Sequence, residues 1–237
     1  MTRLSVNLNK VALIRNSRGG NMPDLIQVAR DCERFGAQGI TIHPRPDQRH
    51  IRYDDIQPLK RVVNTELNIE GYPSKEFMEL VLNHLPDQVT LVPDPPGALT
   101  SDHGWDTILH TAFLEEVVHS LKSRGIRTSL FVDANPRMVE GAARSGTDRI
   151  ELYTGPYAHR FQDDAEAAVK PHREAALAAA ECGLGLNAGH DLNLHNLKFY
   201  KNQVPGLLEV SIGHALICDA LYRGLETTIG LYLEELR

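Results

Sequence analysis

Two histidines and two glutamates occupy equivalent places in a repeated pattern, at or near the ends of short apolar segments. His43 closes "GITIH" (39–43), Glu70 closes "LNIE" (67–70), Glu151 lies in "RIELY" (149–153) and His190 follows "LGLNAG" (184–189). Related segments deliver Asn7 and Asn9 in "SVNLN" (5–9), Asp133 in "TSLFVD" (128–133), Asp94 just after "QVTLV" (88–92), and Gly213 with His214 at and after the end of "EVSIG" (209–213). An imidazole takes up and returns a proton near neutral pH, and a carboxylate in a partly desolvated cavity becomes a base of raised pKa. Glu70 suits that role, and Glu151 suits stabilisation of a developing cation such as an iminium ion. A condensation or isomerisation that moves protons at several atoms needs more than one such group. The competing reading of the two glutamates is an ion pair with Arg18, Arg45 or Arg149.

Other stretches suit anions. "SIGHALI" sets a glycine at the start of a helical pattern, where free backbone N–H groups and the helix dipole attract phosphate, and "NAGHD" supplies a facing wall. Two basic loops rich in glycine or proline, "RNSRGG" with Arg15 and Arg18 and "HPRPDQRHI" with Arg45, Arg49 and His50, suit two anionic substrates. The same histidines and glutamates are metal-type ligands, so a metal-dependent sugar-phosphate isomerase or hydrolase is the alternative. The first strand carries no H-x-H, and neither H-x-x-E-H nor H-E-x-x-H occurs, so no metal is expected. The absence of G-x-S-x-G, a P-loop and a dinucleotide fingerprint removes support for acyl-enzyme, nucleotide-driven and nicotinamide chemistry.

The elements that must position these groups alternate regularly. Eight segments have a period of two, with one face apolar (Val6/Leu8, Ile40/Ile42, Leu67/Ile69, Val89/Leu91, Leu130/Val132, Ile150/Leu152, Leu186/Ala188, Val210/Ile212) and the other small or polar. Between them lie helical patterns: 23–37, with Pro23 at its start and Gly36 as its stop; 74–85; 111–125; 135–146, capped by Asn135; 164–183, which Pro171 should kink or divide; and 193–202. A last helical stretch, 213–237, breaks at Gly224. Eight strand–helix alternations in 237 residues predict a single (β/α)8 TIM barrel over 1–237 with extra helical segments, since that fold takes about 250 residues. An open doubly wound sheet would need apolar residues on both strand faces. The polar face suits a barrel interior, and the strand ends place the site. The stretches "RPDQRHIRYDD" and 93–105 read as lids.

Composition narrows the class further. A formal charge of -6 without charge blocks argues against nucleic-acid or polybasic membrane contacts. Cys32, Cys182 and Cys218 are odd in number and far apart, which predicts free thiols in a reducing compartment. With no apolar run long enough for a signal peptide or membrane span, a cytoplasmic protein is expected.

Taken together, "VNLNKVALIRNSRGG", "GITIHPRPDQRHI", "LNIEGYPS", "LVPDPP", "RIELYTGPYA", "LNAGHDL" and "SIGHALICDALYRGL" resemble the pyridoxine 5′-phosphate synthase family of deoxyxylulose-dependent vitamin B6 biosynthesis, nearly end to end. The resemblance implies a cofactor-free condensation of 3-amino-2-oxopropyl phosphate with 1-deoxy-D-xylulose 5-phosphate, giving pyridoxine 5′-phosphate, phosphate and water. It implies His43 as first proton acceptor, Glu70 as second, His190 as proton donor and Glu151 as stabiliser of charged intermediates. Asn7, Arg18, Asp191, Gly213 and His214 match contacts to the aminoketone phosphate. Arg45, His50 and Thr100 match contacts to the deoxyxylulose phosphate, with Asn9 and Lys10 as further substrate contacts. Many members carry Asp-His where this chain has Asn9-Lys10, and Gly where it has Asp191. The family forms ring-like homo-octamers, so a homo-oligomer is implied here too.

Overall fold

The computed structural model describes residues 1–94 and 101–237. Eight parallel strands close into a barrel in chain order: β1 (Arg3–Asn7), β2 (Gly39–Ile42), β3 (Leu67–Gly71), β4 (Gln88–Leu91), β5 (Arg127–Val132), β6 (Arg149–Tyr153), β7 (Gly185–His190) and β8 (Leu207–Ile212), which pairs back onto β1. After β1 come α1 (Asn9–Asn16) and α2 (Leu25–Arg34). The helices α3 (Tyr53–Val62), α4 (Lys75–His84), α5 (Thr111–Lys122) and α6 (Pro136–Arg144) follow β2 to β5 in turn. The short α7 (Gly155–Arg160) and long α8 (Ala165–Glu181) follow β6, α9 (Leu197–Gln203) follows β7, and α10 (His214–Arg223) with α11 (Leu225–Glu235) completes the chain.

Alternation decides which residues face which way. Leu4, Val6, Ile40, Ile42, Leu67, Ile69, Val89, Leu91, Leu130, Val132, Ile150, Leu152, Ala188, Val210 and Ile212 are fully buried and join the helices in one apolar cluster. Burying a side chain the size of leucine or isoleucine contributes roughly 1.5–3 kcal/mol. The opposite face builds a polar interior. The Ser5 and Thr41 hydroxyls lie 2.7 Å apart, Asn68 donates to Thr41 at 3.4 Å, and Thr90 donates to Asn68 at 3.0 Å. Nearer the strand starts the lining is charged: Glu66 pairs with Arg127 and, at 3.6 Å, with Arg3, while Arg127 also donates to Gln88 at 2.8 Å. Glu209 is buried beside this group.

The period-two reading of the strands holds, with boundary differences. The first strand ends at Asn7 rather than Asn9, because the Asn7 side-chain carbonyl accepts the Asn9 N–H at 2.9 Å and turns the chain into α1. That helix was not expected: Leu13 and Ile14 are exposed, so it lacks a one-sided apolar stripe. Part of the lid stretch 45–55 is in fact the start of α3, whose Asp55 carboxylate accepts the Arg52 N–H at 2.8 Å. Pro171 does not divide α8, which runs for 17 residues. The cost of one missing N–H is offset by the burial of Ala168, Val169, His172, Ala175 and Ala176 against neighbouring elements. The helix expected at 193–202 begins only at Leu197, since the Asn196 side-chain carbonyl accepts the Asn193 N–H at 2.8 Å and holds a turn there.

Candidate active site

The ends of the strands bring the four acid–base groups together. His43, just past β2, sets its Nδ1 3.9 Å from the Glu70 carboxylate of β3. The Asn7 amide, at the end of β1, donates to the same carboxylate oxygen at 3.4 Å. Asn9 stands behind His43, its side-chain carbonyl accepting the His43 N–H at 2.9 Å. Neither Glu70 nor Glu151 pairs with Arg18, Arg45 or Arg149 among the described residues.

Burial without a cationic partner sets the protonation states. It raises Glu70 from 4.5 to about 7, with the His190 and Arg45 charges pulling the other way and Asp94 adding to the rise. Glu151 is 3% exposed, and burial together with the charges of Glu70 and Glu209 holds it well above the usual carboxylate range. Burial, reinforced by Arg45, His50, Arg49 and His190, pushes His43 well below 6.5, so its ring is neutral. The arrangement therefore offers a neutral imidazole, a carboxyl poised near neutrality and a protonated carboxyl around one cavity.

Gly189 makes room for Glu151. A β-carbon there would fall 2.2 Å from the Glu151 Oε1, so the missing side chain is the space into which the Glu151 carboxyl fits. His190, the next residue and the last of β7, has φ of +105°, a left-handed value that costs a non-glycine residue on the order of 1–3 kcal/mol. Its ring packs edge-on to Tyr153 at 5.5 Å and against Phe131 at 6.2 Å. The Asp191 carboxylate reaches its Nδ1 at 3.4 Å.

Asp191 and His214 line an open cleft of about 670 Å³ with Tyr153, His159 and His190. Gly213 is the N-cap of α10, and no side chain caps that helix, so its first-turn N–H groups are available to an anion. A β-carbon at Gly213 would come within 3.0 Å of Asn7, which joins this wall to the Asn7–Glu70–His43 group. The hydrogen bond from His190 and the charge of His214 hold Asp191 below the usual carboxylate range, so a negative charge faces the cleft.

On the other side, Arg45 is buried and its guanidinium meets Asp94 at 2.6 Å, with the Ser101 hydroxyl donating to the same oxygen at 2.6 Å. The His50 Nδ1 accepts the Ile51 N–H at 3.0 Å, and burial with Arg45, Arg49 and Lys10 lowers it to about 4. Lys10 is thus electrostatically close to that loop, while its side chain is exposed. Arg15 is not a ligand for anions: it is 3% exposed, makes two bonds to Asp55 at 2.6 and 2.9 Å, and donates to the His50 carbonyl at 3.2 Å. Arg18 lies exposed beyond α1 and takes no part in the contacts joining the cluster. Thr100 lies outside the described residues. The sequence reading missed the Asp94–Arg45 pairing and the aromatic packing of His190, although Tyr153 shares the inward parity of Glu151. It also missed Thr154, fully buried beside His190. No cluster of three or more His, Cys, Asp or Glu side chains with metal-holding geometry occurs among the described residues.

Fold and site define a (β/α)8 barrel with a cluster of titratable groups at the strand ends. In backbone the chain is similar to a monomeric form of phosphoribosylanthranilate isomerase from Thermotoga maritima (15% identity, TM-score 0.63, covering 100% of this chain and 98% of that one). It is likewise similar to 3-keto-L-gulonate-6-phosphate decarboxylase from Vibrio cholerae (10% identity, TM-score 0.67, 99% and 97%). The chain belongs to the family described as pyridoxal phosphate biosynthesis protein PdxJ, which it matches over residues 4–237. Proteins of Cytophaga hutchinsonii and Flavobacterium johnsoniae, both named pyridoxine 5′-phosphate synthase, are 65% and 58% identical to it over 100% of each chain.

Proposed function

We propose that this chain, working as one barrel domain, is a pyridoxine 5′-phosphate synthase that condenses 3-amino-2-oxopropyl phosphate with 1-deoxy-D-xylulose 5-phosphate. The reading is carried by one observation: His43 and Glu70, neither held by an arginine among the described residues, face each other at 3.9 Å, in a chain 65% identical end to end to a protein of that name. The deoxyxylulose phosphate goes to the Arg45, His50 and Lys10 side, with Thr100 and Asn9. The aminoketone phosphate goes to Gly213, His214 and the α10 N-terminus, with Asn7, Arg18 and Asp191.

Binding then prepares the proton transfers. A phosphate dianion near Arg45 offsets the positive charges that depress His43, and the neutral imidazole becomes a stronger proton acceptor. The substrate amine attacks the ketone and water leaves as the imine forms. Glu151, held protonated by burial, gives its proton to the carbinolamine hydroxyl that leaves as water, and the carboxylate so formed stabilises the iminium charge, because an opposite charge in a dry cavity favours the carboxylate. Glu70, with its pKa of about 7, takes the second proton, and His190 at the mouth of the cleft delivers protons to departing oxygen. Phosphate is eliminated and the ring closes.

The test is to mix the purified protein with both substrates in chelated buffer and follow product fluorescence with phosphate release. Matching product and phosphate, abolished by Glu70→Gln, supports the reading; binding of both substrates without product overturns it. We further infer a homo-oligomer in the cytoplasm. Exposed Leu13 and Ile14 on α1 and Leu221 and Tyr222 on the adjacent α10 suit burial by a second copy, which light scattering checks. Cys32, Cys182 and Cys218 are free, as a reducing compartment requires.

A further inference from the structure

We propose that Thr154 is the positioning residue that sets His190 in its working geometry. The inference rests on the reading of His190 as proton donor. Thr154 occupies the N-cap of α7, where a threonine hydroxyl ordinarily accepts a helix N–H. Here it makes no capping bond. Its Oγ1 instead donates to the Gly189 carbonyl at 2.7 Å and accepts the Asp191 N–H at 3.3 Å.

Those two partners flank His190 on either side. One hydroxyl thus fastens the carbonyl before the residue and the N–H after it, bracketing the backbone segment whose φ is +105°. A histidine gains nothing intrinsic from that conformation and relaxes out of it unless the surroundings over-determine it. The carbonyl on the far side is held as well: Asn196 and Asn193 donate to the Asp191 carbonyl at 3.3 and 3.4 Å. Thr154 is fully buried, so no solvent competes for its bonds. The geometry turns the His190 side chain against Tyr153 and toward the cleft shared with His214. Thr154 touches no reacting atom in this scheme and acts through His190.

The experiment compares Thr154→Val and Thr154→Ala, which remove the hydroxyl, with Thr154→Ser, which keeps it. In the two-substrate assay the hydroxyl-free variants are expected to lose about ten- to a hundredfold in kcat with KM for both substrates within about threefold of the parent, and Thr154→Ser to return kcat to within about threefold. Circular dichroism and thermal unfolding are measured on the same preparations. The proposal is overturned by kcat within about twofold of the parent in both hydroxyl-free variants, by a loss that serine does not restore, or by a loss that tracks the unfolded fraction or a rise in KM. A parent protein that forms no product overturns the functional reading first and removes this inference with it.

Discussion

Where the strands begin, Glu66 meets Arg127 and Arg3, and Glu209 lies among Arg3, Arg127 and Arg149. Where they end, Glu151 is buried and Glu70 half-buried, yet neither pairs with an arginine among the described residues. The Arg45 guanidinium, whose charge acts on Glu70, is already held by Asp94. The same side-chain types thus serve as a compensated plug at one end of the barrel and as an uncompensated, titratable group at the other. Arginine placement separates a structural layer from a reactive one. The separation is incomplete, since Glu209 is itself raised to about 7 and its charge contributes to the rise of Glu151.

Paired substitutions bear on this contrast most strongly. Glu70→Gln is expected to lower kcat by about 10²–10⁴ while leaving thermal stability equal or higher, because an amide avoids the burial cost of the charge. Arg127→Met is expected to do the reverse, lowering stability by about 2 kcal/mol or more in urea titration by stranding Glu66, with kcat of the folded protein unchanged. If Arg127→Met abolished turnover, or Glu70→Gln unfolded the protein, the two layers would not be separable.

Acidity gives the next largest effect. Glu70 and Glu209 both keep their protons to about pH 7 in the folded protein, against an ordinary 4.5. At each of these two carboxyls the folded state therefore holds a proton that the unfolded chain has lost, and that group's contribution to stability falls as pH rises through the interval, by up to about 3 kcal/mol. Between pH 5 and pH 7.5, denaturant titrations should show that Glu70→Gln and Glu209→Gln each shift the change in stability upward relative to the parent by up to about 3 kcal/mol, on top of the contributions of Glu151, His43 and His50 that both variants keep. Over the same interval kcat/KM should rise with pH, since Glu70 must be ionised to accept a proton; only Glu70→Gln should remove that limb. A flat profile in the parent would contradict Glu70 as base.

Smaller effects belong to the walls. Gly189→Ala places a methyl against the Glu151 carboxyl and is expected to lower kcat about tenfold with a stability loss of about 1–3 kcal/mol. Unchanged kinetics would show that Glu151 needs no fixed seat. Asp191→Asn removes a half-exposed charge facing the anion cleft and should lower KM for the aminoketone phosphate a few-fold, because exposed charge pairs contribute up to about 1 kcal/mol. An unchanged or higher KM would place that phosphate elsewhere.

Most of the barrel was legible because two-residue alternation is a direct imprint of strand geometry, as in "GITIH" and "RIELY". Three helices escaped: α1 exposes Leu13 and Ile14, α3 contains Pro58, and α7 is only 6 residues long. Of the site, the strand-end groups could be read from their positions, whereas partner choice could not. Arg15 and Arg45 look alike in sequence, and only the fold gives one to Asp55 and the other to Asp94. Thr154 escaped for a related reason: in sequence it reads as an ordinary helix cap, and its hydroxyl is redirected to β7 only by tertiary placement. The charged layer was invisible to a reading of strand ends, since Glu66 and Glu209 stand at strand beginnings.

Closure of β8 onto β1 has a kinetic consequence. Ser5 lies beside Ser211 and Val6 beside Ile212, partners more than two hundred positions apart along the chain. On the ribosome, Asn7 is synthesised long before Gly213 exists to pack against it, so the cleft cannot assemble until the last strand has emerged. Docking of that strand at once completes the sheet and seats the Gly213 wall against Asn7. A truncated or stalled product therefore lacks the completed cleft, and the appearance of turnover during refolding should report on the closing of the ring itself.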